Sequence, residues 1–338
     1  MRGNCSMKPT HCKHMNEHAM SSHHTIHHIL LIFLDGVGLA PPHPDNPFAH
    51  TPLPNLQRLL GEHFTLAPAL KPAMTGHVAS YDNVHLFALD AQLGVPGIPQ
   101  SGTGTTTLLT GANAAALLGK HAGPFPPAAL RPLLENQNIF TRLRHAGYEV
   151  AFANAFPPFY LERVARGRAR RTTMTQAALA AGLSLRSADE MLQGEALSAF
   201  ITNHHWHAAH PAIPLLSPEE AGKRLAHLAQ QATFTAFEHF TTDHLGHRRD
   251  MAAARQHAAL LDAFLAAVLA HTDDETLVII VSDHGNFEDL STKHHTLNPA
   301  LCLLKGAVPF EPHSLIDVTP LIMHTLGVES PLHPPHQP

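Results

Sequence analysis

Four short stretches of this chain carry carboxylates, imidazoles and hydroxyls at spacings that could hold divalent cations beside a nucleophile. The first is Leu34-Asp35-Gly36-Val37-Gly38, where an Asp ending an apolar run is followed by glycines that let another group approach closely. Asp-Gly after a strand is equally a turn signal. The second runs from Pro99 through Gln100, Ser101, Gly102, Thr103 and Gly104 to Thr105 and on to Gly111. Small residues leading into a helix start leave backbone N–H groups free to hold an anion, and a Ser placed there could attack phosphorus. A plain helix cap would look the same, and Thr103 is a second candidate for the attacking hydroxyl.

The third stretch, Asp243-His244-Leu245-Gly246-His247, places an acid and an imidazole four residues apart, on one face if the segment is helical. That pair also fits a surface salt link. The fourth joins Val281-Ser282-Asp283-His284-Gly285-Asn286 to Lys293-His294-His295-Thr296-Leu297-Asn298-Pro299. An adjacent Asp-His pair closing an all-apolar strand is costly to bury unpaired, and metal coordination would offset that cost. His294 and His295 should point to opposite sides, so only one of them is expected to be a ligand. The mixed nitrogen and oxygen set suits Zn²⁺ or Mn²⁺.

These stretches need elements to position them. Short apolar runs at Ile29 to Leu34, Glu149 to Ala153, Thr233 to Phe237, Thr276 to Val281 and Leu301 to Leu304 read as buried strands. Between them Leu53 to Leu60, Thr105 to Leu118, Ile139 to Ala146, Pro218 to Gln231, Met251 to Ala270 and Ile316 to Leu326 read as helices. The alternation predicts an α/β fold with a mostly parallel sheet covered on both faces. Ligands of open α/β sheets bind at the carboxyl ends of the strands, where three of the four stretches fall.

The alternation weakens between about Phe156 and Pro214, a segment carrying Arg163, Arg166, Arg168, Arg170 and Arg171. The expected organisation is a core over residues 28–155 and 215–330, a small cap inserted at 156–214, a disordered His-rich arm at 1–27 and a flexible tail at 331–338. The cap arginines could bind a second phosphate or a carboxylate of a substrate, or form a solvated helix face. Lys120, His121 and Asn154 are further candidates of that kind.

Composition sets outer bounds. The chain has 338 residues, of which 44% are hydrophobic and 14% charged, as in a soluble globular enzyme. A formal net charge of -5 argues against a general nucleic-acid binder. Three cysteines cannot build a disulfide framework. The first 28 residues lack the apolar core of a signal peptide, and no later apolar run looks long enough to cross a bilayer, so no membrane partner and a cytoplasmic location are expected. With 31 histidines, composition cannot pick ligands and spacing must.

The Asp-His-Gly-Asn and His-Thr-x-Asn-Pro segments, with Asp317-Val318-Thr319-Pro320 opening the last helix, resemble the alkaline phosphatase superfamily. The resemblance lies on the branch of cofactor-independent phosphoglycerate mutase and phosphopentomutase and spans about Ile29 to Leu326. It implies a three-layer α/β/α core and two divalent ions. One would be bound by Asp243, His247 and His295, the other by Asp35, Asp283 and His284, with Ser101 reaching the second ion as nucleophile. The long inserted substrate domain of the mutases is absent, and the histidine they carry four residues after the nucleophile is Thr105 here. The implied activity is that of a phosphoester hydrolase or phosphotransferase acting through a phosphoserine on a small phosphorylated metabolite. A phosphomutase or a phosphodiesterase on the same core is the alternative, a sulfatase lacks its Cys/Ser-x-Pro-x-Arg segment here, and a non-catalytic metal-binding protein is the reading from another class.

Overall fold

The computed structural model describes Met1, residues 25–71 and residues 74–329. Most of the arm expected at 1–27, with Cys5, Cys12 and its histidines from His11 to His24, and the tail expected at 331–338 lie outside the described residues.

The described residues form nine strands: β1 (His28–Leu34), β2 (Gly76–Tyr81), β3 (Val84–Leu89), β4 (Val150–Phe152), β5 (Asn154–Ala155), β6 (Leu197–Ser198), β7 (Phe234–His239), β8 (Thr276–Val281) and β9 (Ala300–Lys305). Seven of them make one sheet in the order β2-β3-β9-β8-β1-β7-β4, while β5 and β6 pair separately. Strands β4, β7, β1 and β8 are parallel neighbours; β9 is antiparallel to β8 and β3, and β2 to β3. Hence β4, β7, β1, β8 and β3 run one way and only β9 and β2 the other.

The unbroken apolar runs follow from burial on both faces. In β1, Leu30, Ile32 and Leu34 enter one core while Ile29, Leu31 and Phe33 enter the other. Strand β8 divides the same way, with Val278 and Ile280 against Leu277, Ile279 and Val281. Each such side chain, fully buried, contributes on the order of 1.5–3 kcal/mol relative to exposure, which makes the centre of the sheet rigid. Helices Pro54–Leu60, Pro218–Ala229 and Met251–His271 bury Leu56, Leu225 and Phe264 on the first face. Helices Ser101–Thr110, Arg131–Gln137, Ile139–His145, Thr173–Ala180 and Val318–Thr325 bury Leu109, Leu134, Phe140, Met174 and Leu321 on the second. The result is the three-layer α/β/α arrangement with a mostly parallel sheet.

Some boundaries differ from the sequence pattern, for local reasons. The helix expected over Thr105 to Leu118 is two helices, Ser101–Thr110 and Ala114–Leu118. Gly111, at φ 72°, takes the left-handed conformation that closes the first. The hairpin β2–β3 has no counterpart among the expected strands, because His77, Ser80 and His85 interrupt the apolar pattern at the edge of the sheet. Within 156–214, Met174, Ala177 and Ala178 join the second main core, whereas Met191, Trp206 and Ile213 form a small cluster of their own with Ala155 and Ala196.

One expectation is corrected. Helix Met251–His271, 21 residues long with a mean hydropathy of 1.2 over an 18-residue window, is long and apolar enough by length and composition to cross a bilayer. Its packing explains the composition: it is a core helix, buried along Ala254, Ala258, Leu261, Phe264, Leu265 and Val268. Its Asp262 is buried and accepts hydrogen bonds from the backbone N–H groups of Asn55 (3.0 Å) and Leu56 (2.8 Å) and from the Asn55 side chain (2.8 Å). The helix that begins at Pro54 has no side-chain cap of its own, so this distant carboxylate satisfies its open end. Asp262→Ala is therefore expected to lower the unfolding free energy by about 1–3 kcal/mol, read from denaturant unfolding. An unchanged midpoint would show that water replaces Asp262 at no cost.

Candidate metal centre

The carboxyl ends of β1, β7 and β8 converge. Asp35 directly follows β1, Asp243 sits in helix Thr241–Arg248 after β7, and Asp283 and His284 follow β8. His295 lies in the loop between β8 and β9, and Ser101 is the first residue of helix Ser101–Thr110. Asp35 is pinned to the end of β7 through its own N–H, which donates to the His239 carbonyl at 2.9 Å, and through its carbonyl, which accepts from Thr242 Oγ1.

Two groups of ligand atoms form, each within 4.8 Å: Asp35 with Asp283 and His284, and Asp243 with His284 and His295. His284 thus stands between both groups. Its Nε2 lies 3.4 Å from Asp35 Oδ1 and 3.6 Å from Asp283 Oδ1, and its ring stacks on that of His295 at 3.8 Å. His247 joins the second group: its Nε2 is 3.3 Å from Asp243 Oδ2 and 3.2 Å from His295 Nε2. His295 Nε2 is 3.3 Å from Asp243 Oδ1. Asp243 and His247 lie one turn apart on their helix, which is why they face the same way. His294 is exposed and His295 buried, so the two do point apart.

The residues fit divalent cations on three counts. First, Nδ1 of His247, His295 and His284 each faces a backbone carbonyl, that of Lys293 (2.8 Å), Pro99 (2.8 Å) and Gly285 (3.2 Å). A carbonyl only accepts, so each Nδ1 carries a proton and each Nε2 is the atom turned inward, free to offer its lone pair to a cation that displaces any proton there. Second, the Nε2 atoms of His247 and His295 face each other at 3.2 Å, close enough to share one cation. Third, Asp283 Oδ1 is buried with no hydrogen-bond partner, while its Oδ2 accepts from Thr105 Oγ1 at 2.8 Å.

The electrostatics point the same way. Burial and the charge of Asp283 push Asp35 up to about 7, against the hydrogen bond from His284. Burial alone would lower His284, yet Asp283 and Asp35 raise it to about 10. Burial would likewise raise Asp243, but the hydrogen bond from His295, the charge of His284 and the Asn286 amide hold it below the usual carboxylate range. The cluster calls for positive charge. Close packing preserves it: Gly36, at φ 68°, has no room for a side chain, since a Cβ would stand 2.7 Å from Asp243 Oδ1.

Ser101 Oγ lies 2.9 Å from His284 Nε2 and 3.4 Å from Asp35 Oδ1. Thr103 is turned away, its hydroxyl donating to the carbonyls of Gln100 (3.1 Å) and Ala122 (3.4 Å). Among the cap arginines, Arg163, Arg166 and Arg168 are exposed, with Arg166 paired to Glu162 at 3.5 Å; Arg171 is half-buried, and Arg170 lines a cavity with Asn154. Lys120 is exposed, and His121 Nε2 meets the Val95 carbonyl at 3.1 Å.

Several residues that build the site were not assigned from sequence. Asn286 Nδ2 donates to Asp243 Oδ1 at 2.7 Å. Glu288 is buried and accepts from the N–H groups of Gly38 and Asn286 (2.8 Å each), from Thr296 Oγ1 and from Asn298 Nδ2 (2.9 Å), tying the ligand-bearing loops together. Glu238, buried near the end of β7, accepts from Thr172 Oγ1 at 2.9 Å and is pushed up to about 8, by burial first. An acid directly after the buried Phe234-Thr235-Ala236-Phe237 run was the available signal for it.

The profile of the Metalloenzyme superfamily matches residues 27–330. The chain therefore belongs to that superfamily of metalloenzymes. In fold it is similar to the PH0037 protein from Pyrococcus horikoshii, with a TM-score of 0.51 and 14% identity over 91% of this chain and 99% of that one. An alkaline phosphatase from Thermus thermophilus aligns with a TM-score of 0.49 and 12% identity over 91% and 93% of the two chains. A phosphoglycerate mutase from Leishmania mexicana aligns with a TM-score of 0.35 and 16% identity over 58% and 38%. No curated protein matches the chain.

Two outcomes follow from the geometry. Saturating Zn²⁺ or Mn²⁺ should stabilise the fold, by about 2.7 kcal/mol at a hundredfold excess over Kd, and Asp283→Asn should remove most of the thermal shift; equal shifts in parent and variant would place the ions elsewhere. For Glu238, the folded state holds its proton more tightly than the unfolded chain, so between pH 4.5 and about 8 it makes stability fall as pH rises. Glu238→Gln should flatten that decline in unfolding free energy, and an identical slope in the variant would count against the raised value.

Proposed function

We propose that the chain is a phosphoester hydrolase or phosphotransferase working through a phosphoserine at Ser101, with two Zn²⁺ or Mn²⁺ ions held by Asp35, Asp283 and His284 and by Asp243, His247 and His295. When bound, such ions polarise the phosphoryl oxygens and lower the pKa of oxygen nucleophiles near them. The observation that carries the reading is the aim of Ser101: its hydroxyl faces Asp35 and His284 from the first position of a helix.

In the proposed reaction Ser101 Oγ forms a bond to phosphorus as the ester P–O bond breaks. The departing alcohol finally carries the proton that Ser101 gives up. Water then adds to phosphorus, the Oγ–P bond breaks, and Ser101 regains a proton as phosphate leaves. The positive end of the helix favours the dianion throughout. Hydrolysis is favoured over mutase chemistry by Thr105: its hydroxyl is committed to Asp283, so the position that is histidine in the mutases offers no base here. The substrate is a small phosphorylated molecule.

Ser101→Ala in the Zn²⁺- or Mn²⁺-loaded enzyme is expected to lower phosphomonoester turnover by roughly 10³-fold or more and to abolish acid-stable phosphoserine in a quenched reaction. Turnover near the parent rate would remove Ser101 from the role of nucleophile.

A further inference from the structure

A cavity of about 500 Å³ opens where β7 ends, a size suited to a small organic molecule. Its walls are mainly rings: Phe156, Phe159, Tyr160, Phe200, Trp206 and Phe240. Phe156 and Tyr160 stack at 5.2 Å with 18° between planes, and Phe200 meets Phe240 edge to face at 5.5 Å and 80°. Phe159 is 67% exposed and lies on the rim. Glu238, Arg170, Asn154, Thr172, His205 and His210 add polar groups among these rings.

The cavity adjoins the metal centre. Glu238 and Phe240 flank His239, whose carbonyl accepts the Asp35 N–H, and Phe33, next but one before Asp35, pairs in register with Glu238. On another side the Arg170 guanidinium lies 5.9 Å over the ring of Phe125, whose backbone packs against Gly102 beside Ser101. Ser101 and the cavity are thus linked through Asp35 and His239 on one side and through Gly102 and Phe125 on the other.

Resting on the reading of Ser101 as nucleophile, we propose that the cavity receives the alcohol half of the phosphoester and that this alcohol bears a planar aromatic ring. Six aromatic rings lining one cavity favour an aromatic guest, by about three- to tenfold per ring pair over an aliphatic one of equal area. A polyol such as a sugar or glycerol would set several of its hydroxyls against the aromatic faces, which cannot bond them. Glu238, fixed through Oε2 by Thr172, is a polar group of the lining that can meet a ring substituent.

The test compares kcat/KM of the Zn²⁺- or Mn²⁺-loaded enzyme for benzyl, cyclohexylmethyl and glycerol 1-phosphates, all esters of primary alcohols. Benzyl phosphate is expected to exceed both others by about tenfold or more, and Phe159→Ala and Phe200→Ala should shrink that ratio. Phe159, on the rim, can be truncated with little risk to folding. Hydrolysis of all three esters at similar efficiency, or of cyclohexylmethyl as well as benzyl phosphate, overturns the proposal while Ser101 keeps its role. If no ester is hydrolysed, the reading of Ser101 has failed, and binding decides. Benzylphosphonate should then still change the fluorescence of Trp206, the chain's only tryptophan, saturably and at lower concentration than cyclohexylmethylphosphonate; no such change overturns the proposal as well.

Discussion

Three carboxylates brought within reach of one buried imidazole are the constraint on which the rest of the structure turns. Asp283 and His284 are fully buried, and Asp35 and Asp243 nearly so, with side chains 18% and 13% exposed. Like charges this close repel strongly in a poorly solvated site, and their burial costs more than the hydrogen bonds around them return. The raised Asp35 and the raised His284 are two expressions of that cost: one acid retains its proton and one imidazole gains one. A superfamily defined by bound metal resolves the same imbalance with cations.

Holding such a cluster together demands a frame that cannot relax. The ligands hang from the ends of β1, β7 and β8, three adjacent parallel strands packed on both faces with Leu, Ile, Val and Phe. Movement of one strand end would disturb two cores at once. The loops beyond the strands lack that packing, and hydrogen bonds replace it. Glu288 gathers four donors from three loop segments, and Ser282 Oγ accepts the N–H of Val37 at 2.8 Å, joining the segment after β8 to the one after β1. The order of the site is thus set by apolar burial beneath it and by buried polar bonds around it.

The parts of this arrangement legible in the sequence were those with a local signature. Apolar strands ending in Asp35 and Asp283 could be read because both faces are buried and the acid breaks the run. Asp243 and His247 could be read because helical spacing aligns them. Strands β2 and β3 could not, since an edge hairpin with His77, Ser80 and His85 lacks the apolar run of its neighbours. Nor could composition sort the histidines. His239 and His257 are as deeply placed as the ligands, yet burial lowers both, His239 to about 4, and they pair with each other at 2.8 Å instead of facing an acid. What separates His284 from His239 is the company of carboxylates, which only the fold decides.

Thr105 shows how one position can be read two ways until its neighbours are known. Ser101 and Thr105 lie one turn apart on the same helix, so both hydroxyls face the strand ends. Gly104 between them lets the helix close on Asp283, whose backbone oxygen would stand 2.9 Å from any Cβ added there. At that distance a short hydroxyl reaches Asp283 Oδ2 and fixes the carboxylate plane, leaving Oδ1 bare and turned toward His284. A larger side chain at Thr105 would have to displace either the helix or the carboxylate. The departure from the mutase pattern at this residue is therefore matched by the close approach around it, and the acid it orients keeps one oxygen, Oδ1, without a hydrogen bond.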